Sequence, residues 1–545
     1  MSTISELPNY ITHNIDLADA STFIDLLRQV DDQIFGGFEQ YESCLSDSIV
    51  SKLQFIADQI KQVLSQGGLV LMAGAGTSGR LAHLCCRRGN DILSSYTFSG
   101  KFIPLVAGGN PALISAQEGA EDSSLLAKQD INTYISTDKP IIYIGITCGL
   151  SAPYVGVQLS ECLKKPNIQT VVLGFSPVAL ARNTPVPGCD GTFKEILDKS
   201  LDQGGLALTP VVGPEAITGS TRMKGGTVTL LLLVDVIDAA LMGAEVRCGL
   251  ASVNSNVKIL YNQLKMSQSI KKLMETAGKA LMNGNRIFYF GDNYPGQMAV
   301  IDASECPPTF GASPSDVQGF ITGGWDCLGV DKETFPKEDM YLIDVADFES
   351  SVKVSQGDLC LFLSEYNIIN EELNRLLSET RSKCQCFVVN IRDVSCRKPC
   401  HDENLVDLPI KFDFLSSLIC FKLVLNLVST FAHVYIGKIF QNRMADLRLS
   451  NTKLLNRASV TLSKILDISK EVARSHLLTV IYGCPVEETS NTNELDHIEA
   501  AVHVAHIVPK AILLALGFSL EESCKIVENS VKENIPISSL IADRM

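Results

Sequence analysis

Short apolar runs alternate with helical patterns in the first half of the chain, and this alternation predicts its fold. The first apolar run, residues 69–73, follows Gly67 and Gly68 and has the length of a buried strand. Similar runs lead up to a long apolar helix that ends near Met242; they occupy residues 102–107, 141–146, 170–174 and 206–212. Strands that alternate with helices indicate an α/β fold with a parallel sheet.

The same pattern starts again near Ser267. A helix over residues 270–282 precedes a strand at 286–290 and a glycine turn at Gly291. A second long apolar helix, 415–439, ends this half; the strand-like runs before it are 340–345, 359–364, 386–391 and 405–410. A period of roughly 200 residues is too long for a solenoid and indicates two copies of one domain.

The two ends of the chain carry no strand pattern. Residues 1–45 are polar and mixed, with one predicted helix at 20–28. After Gln441 only helical segments follow, with a polar linker at 487–494; they are 452–466, 470–482, 499–516 (with a kink at Pro509) and 520–531. We therefore predict an N-terminal segment (1–45), two α/β domains (46–265 and 266–440) and a C-terminal helical lid (441–545).

Composition narrows the class of protein. A chain of 545 residues with 46% hydrophobic and 20% charged residues predicts a globular protein of several domains. A net charge of −15 argues against nucleic acid as a partner. The apolar stretch 414–436 contains Lys422 and His433, which favours a buried helix over a membrane span. The 17 cysteines lack regular spacing and no signal peptide is visible, so we expect reduced thiols and a protein of the cytoplasm or nucleus.

A glycine-rich loop follows the first strand and is a candidate anion site. Gly74, Gly76 and Gly79 permit close approach of the backbone, and Thr77 and Ser78 supply hydroxyl donors before a helix begins. The P-loop pattern is absent, because no Gly-Lys-Ser/Thr follows. The next strand has no acidic residue at its end, which counts against a dinucleotide. A tight turn without any ligand is the alternative.

A second loop of the same kind follows the third strand. It contains Thr147, Gly149 and Ser151, and both loops lie at strand C-terminal ends, where open α/β sheets bind ligands. Together the two loops can surround one phosphate. Glu121 can accept hydrogen bonds from sugar hydroxyls or act as acid or base, or it can simply stabilise a helix N-terminus.

Five stretches resemble one branch of the sugar isomerase (SIS) domain family. They read GAGTSGR from Gly74, AGG from Ala107 with EGAED from Glu118, GITCGLSAP from Gly145, GPE from Gly213 with GSTRMKGG from Gly219, and ASECPPTFG from Ala303. This branch joins bacterial N-acetylmuramic acid 6-phosphate etherases to the glucokinase regulatory proteins. The resemblance covers roughly residues 40–535, and it implies two tandem SIS domains with a helical lid.

The motifs are divided between the two copies. The first copy keeps GAGTSGR, but LCCRRGN (84–90) stands where an etherase continues LDASECP. The second keeps ASECPPTFG, but GDNYPG (291–296) stands where GAGTSG would be. Etherases share their active site across a homodimer. The division therefore implies one sugar-phosphate site per chain, at its own domain interface, in a monomer that is an internal pseudo-dimer.

This resemblance implies a regulator and not an enzyme. Its partner would be a glucokinase or hexokinase, with inhibition favoured by fructose 6-phosphate and relieved by fructose 1-phosphate, and with no cofactor or metal. The implied ligand-binding residues are Thr77, Ser78, Glu121, Thr147, Cys148, Gly149, Ser151, Thr221, Arg222, Glu305 and, from the lid, Lys510. Arg222 could instead pair only with Glu215, and Lys510 could be a solvated lysine.

Two other functions stay open. One is the etherase reaction, in which Glu121 and Glu305 would be the catalytic acid and base. Against it, Ser151 lies in the segment where etherases have Ser-Gly-Arg-Thr, so an arginine that could hold the lactyl carboxylate is lost. The other is a sugar-phosphate-binding protein without a kinase partner.

Three departures from the animal regulatory proteins concern the partner, the ligand and the lid. Where those proteins have a Leu-Phe-Trp cluster that contacts the kinase, this chain has Leu454, Leu455 and Asn456. Pro308 replaces a ligand-contacting histidine. His503 and His506 are three positions apart on one predicted helix, and without a third ligand we assign them to lid packing and not to a metal.

Overall fold

Two parallel five-stranded sheets, each flanked by helices, form the body of the molecule. The computed structural model describes residues 3–96, 98–117, 119–330, 342–365, 369–396, 402–485, 494–533, 535–542 and 544. The strands are β1 (Leu69–Gly74), β2 (Lys101–Val106), β3 (Ile141–Ile146), β4 (Ile168–Leu173), β5 (Leu206–Leu208), β6 (Ile287–Gly291), β7 (Val317–Ile321), β8 (Leu359–Glu365), β9 (Gln385–Asp393), β10 (Leu405–Ile410), β11 (Ile439–Phe440) and β12 (Arg443–Met444).

Helices precede, separate and follow these strands. They are α1 (Ala20–Gly36), α2 (Asp47–Ser65), α3 (Gly76–Leu93), α4 (Ser124–Asn132), α5 (Pro153–Cys162), α6 (Phe193–Asp202), α7 (Lys224–Met242), α8 (Val246–Met266), α9 (Gln268–Met282), α10 (Asn293–Phe310), α11 (Gly324–Cys327), α12 (Val345–Ser351), α13 (Glu371–Thr380), α14 (Phe414–Tyr435), α15 (Thr452–Leu466), α16 (Lys470–Tyr482), α17 (Glu494–Ala501), α18 (Ile507–Ala515), α19 (Leu520–Lys532) and α20 (Ile537–Ala542).

The two sheets share one topology. The first has the order β2-β1-β3-β4-β5 and the second the order β7-β6-β8-β9-β10, so each strand of the first has a counterpart at the same place in the second. All neighbours within both sheets are parallel. The predicted α/β class and tandem duplication are therefore confirmed.

Two apolar helices lie between the domains. α7 and α14 are long and apolar enough to cross a membrane, but 89% and 94% of their most apolar windows are buried inside the structure. α14 packs against α7 and α8 of the first half and against α9 and α10 of the second. The prediction that residues 414–436 form a buried helix is thus confirmed, since these helices form the core that joins the domains.

Some predicted strands differ from the observed ones. β5 stops at Leu208, well short of residue 212, because Pro210 lacks the N–H that would continue the ladder. The strand predicted at 340–345 is wrong where it is described: Asp344 forms a single bridge with Ile321, and α12 begins at Val345; residues 340–341 lie outside the described residues. The edge strand beside β6 is instead β7, which the sequence pattern did not predict.

The ends of the chain also differ in detail. α1 continues to Gly36, beyond the helix predicted at 20–28. The helix predicted at 499–516 is two helices. α17 ends at Ala501, and α18 begins only after His506, which adopts a left-handed φ of 56°. Pro509 lies in the first turn of α18, where proline is tolerated, so it causes no kink. The linker predicted at 487–494 and Glu118 of the EGAED motif lie outside the described residues, apart from residue 494.

Candidate functional site

A cavity of about 140 Å³ opens where β1 and β3 end, between both domains and the lid. The glycine-rich loop after β1 and the loop after β3 form one side of it. Helix α10 of the second domain and the start of α15 form the other. Of the predicted ligand-binding residues, those that line the cavity are Thr77, Ser78, Glu121, Thr147, Cys148, Gly149, Ser151, Thr221, Arg222 and Glu305.

The loop after β1 brings a helix N-terminus to the cavity. Gly76, the first residue of α3, has a φ of 53°, and the loop turns sharply there. A Cβ at Gly79 would lie 2.6 Å from the Gly74 carbonyl oxygen, so only glycine permits this packing of helix against strand. The first turn of α3, whose N–H groups have no acceptor within the helix, thus lines the cavity together with Ser78, and a helix N-terminus of this kind suits an anion.

The loop after β3 is held by its own side chains. The Thr147 Oγ1 accepts hydrogen bonds from the N–H groups of Ser151 (3.0 Å) and Ala152 (3.1 Å). Cys148 reaches across to the first loop, with its Sγ 3.8 Å from the Ser78 Oγ. Burial raises the pKa of the Cys148 thiol to about 11, so this group is a neutral thiol at the cavity wall. Thr147 thus shapes the loop as well as lining the cavity.

Glu305 faces the cavity but is bound to the first domain. The Arg80 guanidinium Nη1 donates to its Oε1, and the Arg80 Nε donates to the Leu113 carbonyl at 3.2 Å. Arg80 is only 1% exposed. Among the described residues none accepts a hydrogen bond from its Nη2. This buried pair links the GAGTSGR loop to the ASECPPTFG helix, the two motifs that the duplication divided.

Arg222 also links the domains. Its Nη1 donates to the Asp302 Oδ1 at 2.9 Å, and its Nη2 donates to the Thr430 Oγ1 at 2.6 Å. Its guanidinium is thus engaged with the second domain, and it does not pair with Glu215. Glu215 instead accepts from the backbone N–H groups of Lys224 and Gly225, both at 2.9 Å, at the N-terminus of α7. Arg222 lines the cavity as an interdomain contact.

The lid supplies a lysine that sequence reasoning missed. Lys453, in the first turn of α15, lines the cavity, and Lys510 of α18 does not; Lys510 is buried elsewhere in the lid. Of the described cations that line the cavity, Lys453 is the one without an ion pair within 4 Å. A cation in the first turn of a helix is disfavoured by the helix dipole. This unfavourable position was the feature of the sequence that could have indicated a functional role for Lys453.

The residues predicted to contact a partner lie in different environments. Leu454 faces the cavity, Leu455 is fully buried, and Asn456 is exposed. Of these three residues, Asn456 alone has a side chain that is accessible to another protein. Pro308 lines the cavity. The two lid histidines do not share a helix, and the His506 Nδ1 lies 2.8 Å from the Asp446 Oδ2.

The N-terminal segment contacts two residues that line the cavity, which the sequence did not predict. The Glu6 carboxylate accepts two hydrogen bonds from Arg457 of α15, from Nε at 3.0 Å and from Nη2 at 2.6 Å. The Ser5 carbonyl accepts from the Gly219 N–H at 3.1 Å. Residues 5 and 6 thus tie the lid to the first domain beside the cavity.

Lys453 also bears on the etherase reaction. The loss of the arginine counts against this reaction only if a substrate carboxylate finds no other cation in the cavity. Lys453 lies in its wall, so the loss of arginine from the 149–152 segment does not leave a carboxylate without a positive partner. The cavity can accept an anion at the α3 N-terminus and at the lid, and a polar ring between them.

Comparison with known proteins identifies the family. Three family descriptions match the chain: the N-terminal SIS domain of glucokinase regulatory protein over residues 49–163, its second SIS domain over 264–385 and its C-terminal lid domain over 441–536. The human glucokinase regulatory protein is 30% identical over an alignment of 560 positions that covers 96% of this chain and 89% of that protein. The chain belongs to the glucokinase regulatory protein family.

Other relatives agree with this assignment. The Xenopus laevis glucokinase regulatory protein is 29% identical and aligns over 98% of this chain and 91% of its own length. An N-acetylmuramic acid 6-phosphate etherase from Vibrio cholerae is 32% identical but aligns over only 42% of this chain and 65% of its own. The chain therefore groups with regulatory proteins over its whole length, and the enzymes are more distant relatives.

Proposed function

We propose that this chain regulates a glucokinase or hexokinase and that a sugar phosphate bound in the cavity controls this regulation. Its full-length relatives carry the name of glucokinase regulators. Fructose 6-phosphate would favour the inhibitory complex, and fructose 1-phosphate would disrupt it. We expect a monomer, acting in the cytoplasm or nucleus, with one ligand site per chain.

One observation carries the proposal: the first domain, the second domain and the lid all line the same cavity. A ligand bound there contacts all three units at once. Its free energy of binding is then linked to their relative arrangement, which is what a ligand-controlled switch requires. The phosphate would bind at the N-terminus of α3 with Ser78, and Glu121 and Glu305 would contact the sugar hydroxyls.

The decisive experiment measures the effect of this protein on the kinase and the binding of each phosphofructose to this protein. Glucokinase or hexokinase from the source organism is assayed with this protein alone and with each phosphofructose. Inhibition that fructose 6-phosphate strengthens and fructose 1-phosphate relieves is the expected result. Calorimetry of each phosphofructose should give one site per chain; two equivalent sites would contradict the interdomain cavity. Ligand binding without any effect on kinases would support the simpler sugar-phosphate-binding protein.

The etherase reaction is the second candidate, because Glu121 and Glu305 line the same cavity. The structure gives Glu305 a firm partner in Arg80, which competes with any role in proton transfer. Purified protein is incubated with N-acetylmuramic acid 6-phosphate, and released lactate is measured. We expect no release above that of a Glu121→Gln variant. Lactate release that requires both glutamates would replace the regulator proposal.

A further inference from the structure

Three cysteine side chains meet at the amino-terminal edge of the second sheet. Cys360 and Cys386 are the second residues of β8 and β9, and they are register partners in this parallel pair. Cys384 lies just before β9. The Cys384 Sγ is 3.5 Å from the Cys360 Sγ and 3.8 Å from the Cys386 Sγ, and all three sulfur atoms lie within 4.8 Å of one another. None of the three lines the sugar-phosphate cavity.

The spacing of these sulfur atoms suits a single metal ion. Three thiolates bound at about 2.3 Å, with angles of 120° between them, are separated from one another by about 4.0 Å. The distances from the Cys384 Sγ to the other two sulfur atoms, 3.5 and 3.8 Å, are slightly shorter. Small rotations of the side chains would therefore bring three ligands around one ion without any change in the strands.

The surroundings of the cluster favour a soft ion in a dry site. Cys360 and Cys386 are 0% and 3% exposed, among apolar side chains that include Phe362. Cys384 is 9% exposed, so an ion would reach the cluster from solvent on the side of this residue. Among the described residues no further Cys, His, Asp or Glu places a ligand atom in the group. Hard cations prefer oxygen ligands, which the cluster does not provide.

The thiols also contact Thr380, the last residue of α13. The Cys386 Sγ lies 3.4 Å from the Thr380 Oγ1, and the Cys384 Sγ lies 3.7 Å from the Thr380 carbonyl oxygen.

We propose that Cys360, Cys384 and Cys386 bind one copper(I) ion through three sulfur atoms. Copper(I) prefers thiolates, and the cluster offers three of them, whereas structural zinc sites take four ligands. Each thiol that becomes a thiolate ligand releases its proton to solvent, and the copper stays in the +1 state, so no oxidant or reductant is required. The ion would join β8 to β9 at an edge of the second domain.

The test uses the full chain, reduced and without oxygen. The two exposed thiols among the described residues are first removed in a Cys248→Ser, Cys484→Ser background, because these cysteines lie outside the cluster. Copper(I), supplied as its acetonitrile complex, is titrated against the chelator bicinchoninate. We expect one tightly held ion per chain, proton release on binding, a rise in Tm, and X-ray absorption that shows three sulfur neighbours at about 2.3 Å.

Two valine variants distinguish copper binding by the cluster from copper binding by other cysteines of the chain. Cys386→Val replaces the thiol by an apolar, β-branched side chain that suits a strand, and it should lose the ion and the rise in Tm. Cys162→Val removes a buried cysteine of α5 in the first domain and should change neither. Far-ultraviolet circular dichroism checks that both variants fold. If Cys386→Val does not fold, Cys384→Ser, at the edge of the cluster, serves in its place.

Four results would overturn the proposal. They are fewer than one tightly held ion per chain, equal retention of copper by Cys386→Val, fewer than three sulfur neighbours, and tighter binding of zinc than of copper(I). A disulfide between Cys360 and Cys384 that forms readily in air and persists with copper present would also overturn it. All these readouts are independent of sugar-phosphate binding and of kinase inhibition, so they do not depend on the proposed function.

Discussion

Replacing Ser78 by aspartate should abolish sugar-phosphate binding while the protein stays folded. Ser78 lies in the first turn of α3 at the cavity wall, with its Oγ 3.8 Å from Cys148 of the opposite loop. A phosphate held between these loops would be within about 4 Å of the new carboxylate. Two unit charges at that distance repel by about 4 kcal/mol at an effective dielectric constant of 20, which is close to a thousandfold in Kd.

The fold itself should tolerate this change. Carboxylates in the first turn of a helix are stabilised by the helix dipole by about 0.3–1 kcal/mol, and Ser78 is only half-buried. Ser78→Asn is the matched control, because it has the size of aspartate without its charge. Calorimetry with fructose 6-phosphate should show the thousandfold loss for Ser78→Asp only, and added salt should reduce it. Equal Kd values for the two variants would show that this loop does not hold the phosphate.

Three further predictions concern the interdomain contacts, the lid and pH. Arg80→Met should cost about 3–5 kcal/mol in urea unfolding because it leaves the Glu305 charge buried without a partner, and the double variant with Glu305→Gln should recover much of this loss; additive losses would contradict a direct pair. Lys453→Met should weaken sugar-phosphate binding by about tenfold or more, as expected for a charged hydrogen bond, whereas Lys464→Met in the last turn of the same helix should not; calorimetry separates them. Burial raises the pKa of Asp235 to about 8, so the folded state holds a proton that the unfolded state releases above about pH 4. Stability should therefore fall as pH rises from 4 to 8, and Asp235→Asn should flatten that fall in denaturation curves; equal slopes would show that Asp235 is not the cause.

The features that the sequence predicted are those that nearby residues determine. β3 and β10 have the predicted bounds. The apolar run of β3 is continuous, and in β10 the buried Val406, Leu408 and Ile410 alternate with less buried residues. The helices α15 and α16 also match, since each begins at a side-chain cap, Asn451 and Ser469, and continues with helical spacing. The parallel α/β class, the duplication and the two glycine- and hydroxyl-containing loops after β1 and β3 depended on such local patterns, and the sequence predicted them.

Features that arise from contacts between distant residues were not predicted. β7 has a glycine and a glutamine among its five residues, so its apolar pattern is weak, and only its pairing with β6 makes it a strand. The contact between Glu6 and Arg457 joins residues 451 positions apart. Nothing in their local sequence indicates that the N-terminal segment reaches the lid beside the cavity.

In the candidate site, too, the features set by nearby residues were predicted and those set by distant contacts were not. Its glycines and hydroxyls were visible in the sequence, because a strand, a tight loop and a helix start lie within a few residues of one another. The partners of Arg80 and Arg222 were not, since each lies on a helix of the other domain and is met only when the two domains pack. The sequence by itself determined which loops could bind an anion. Packing of the domains and lid decided which charged side chains line the cavity, because those side chains come from residues far apart in the chain.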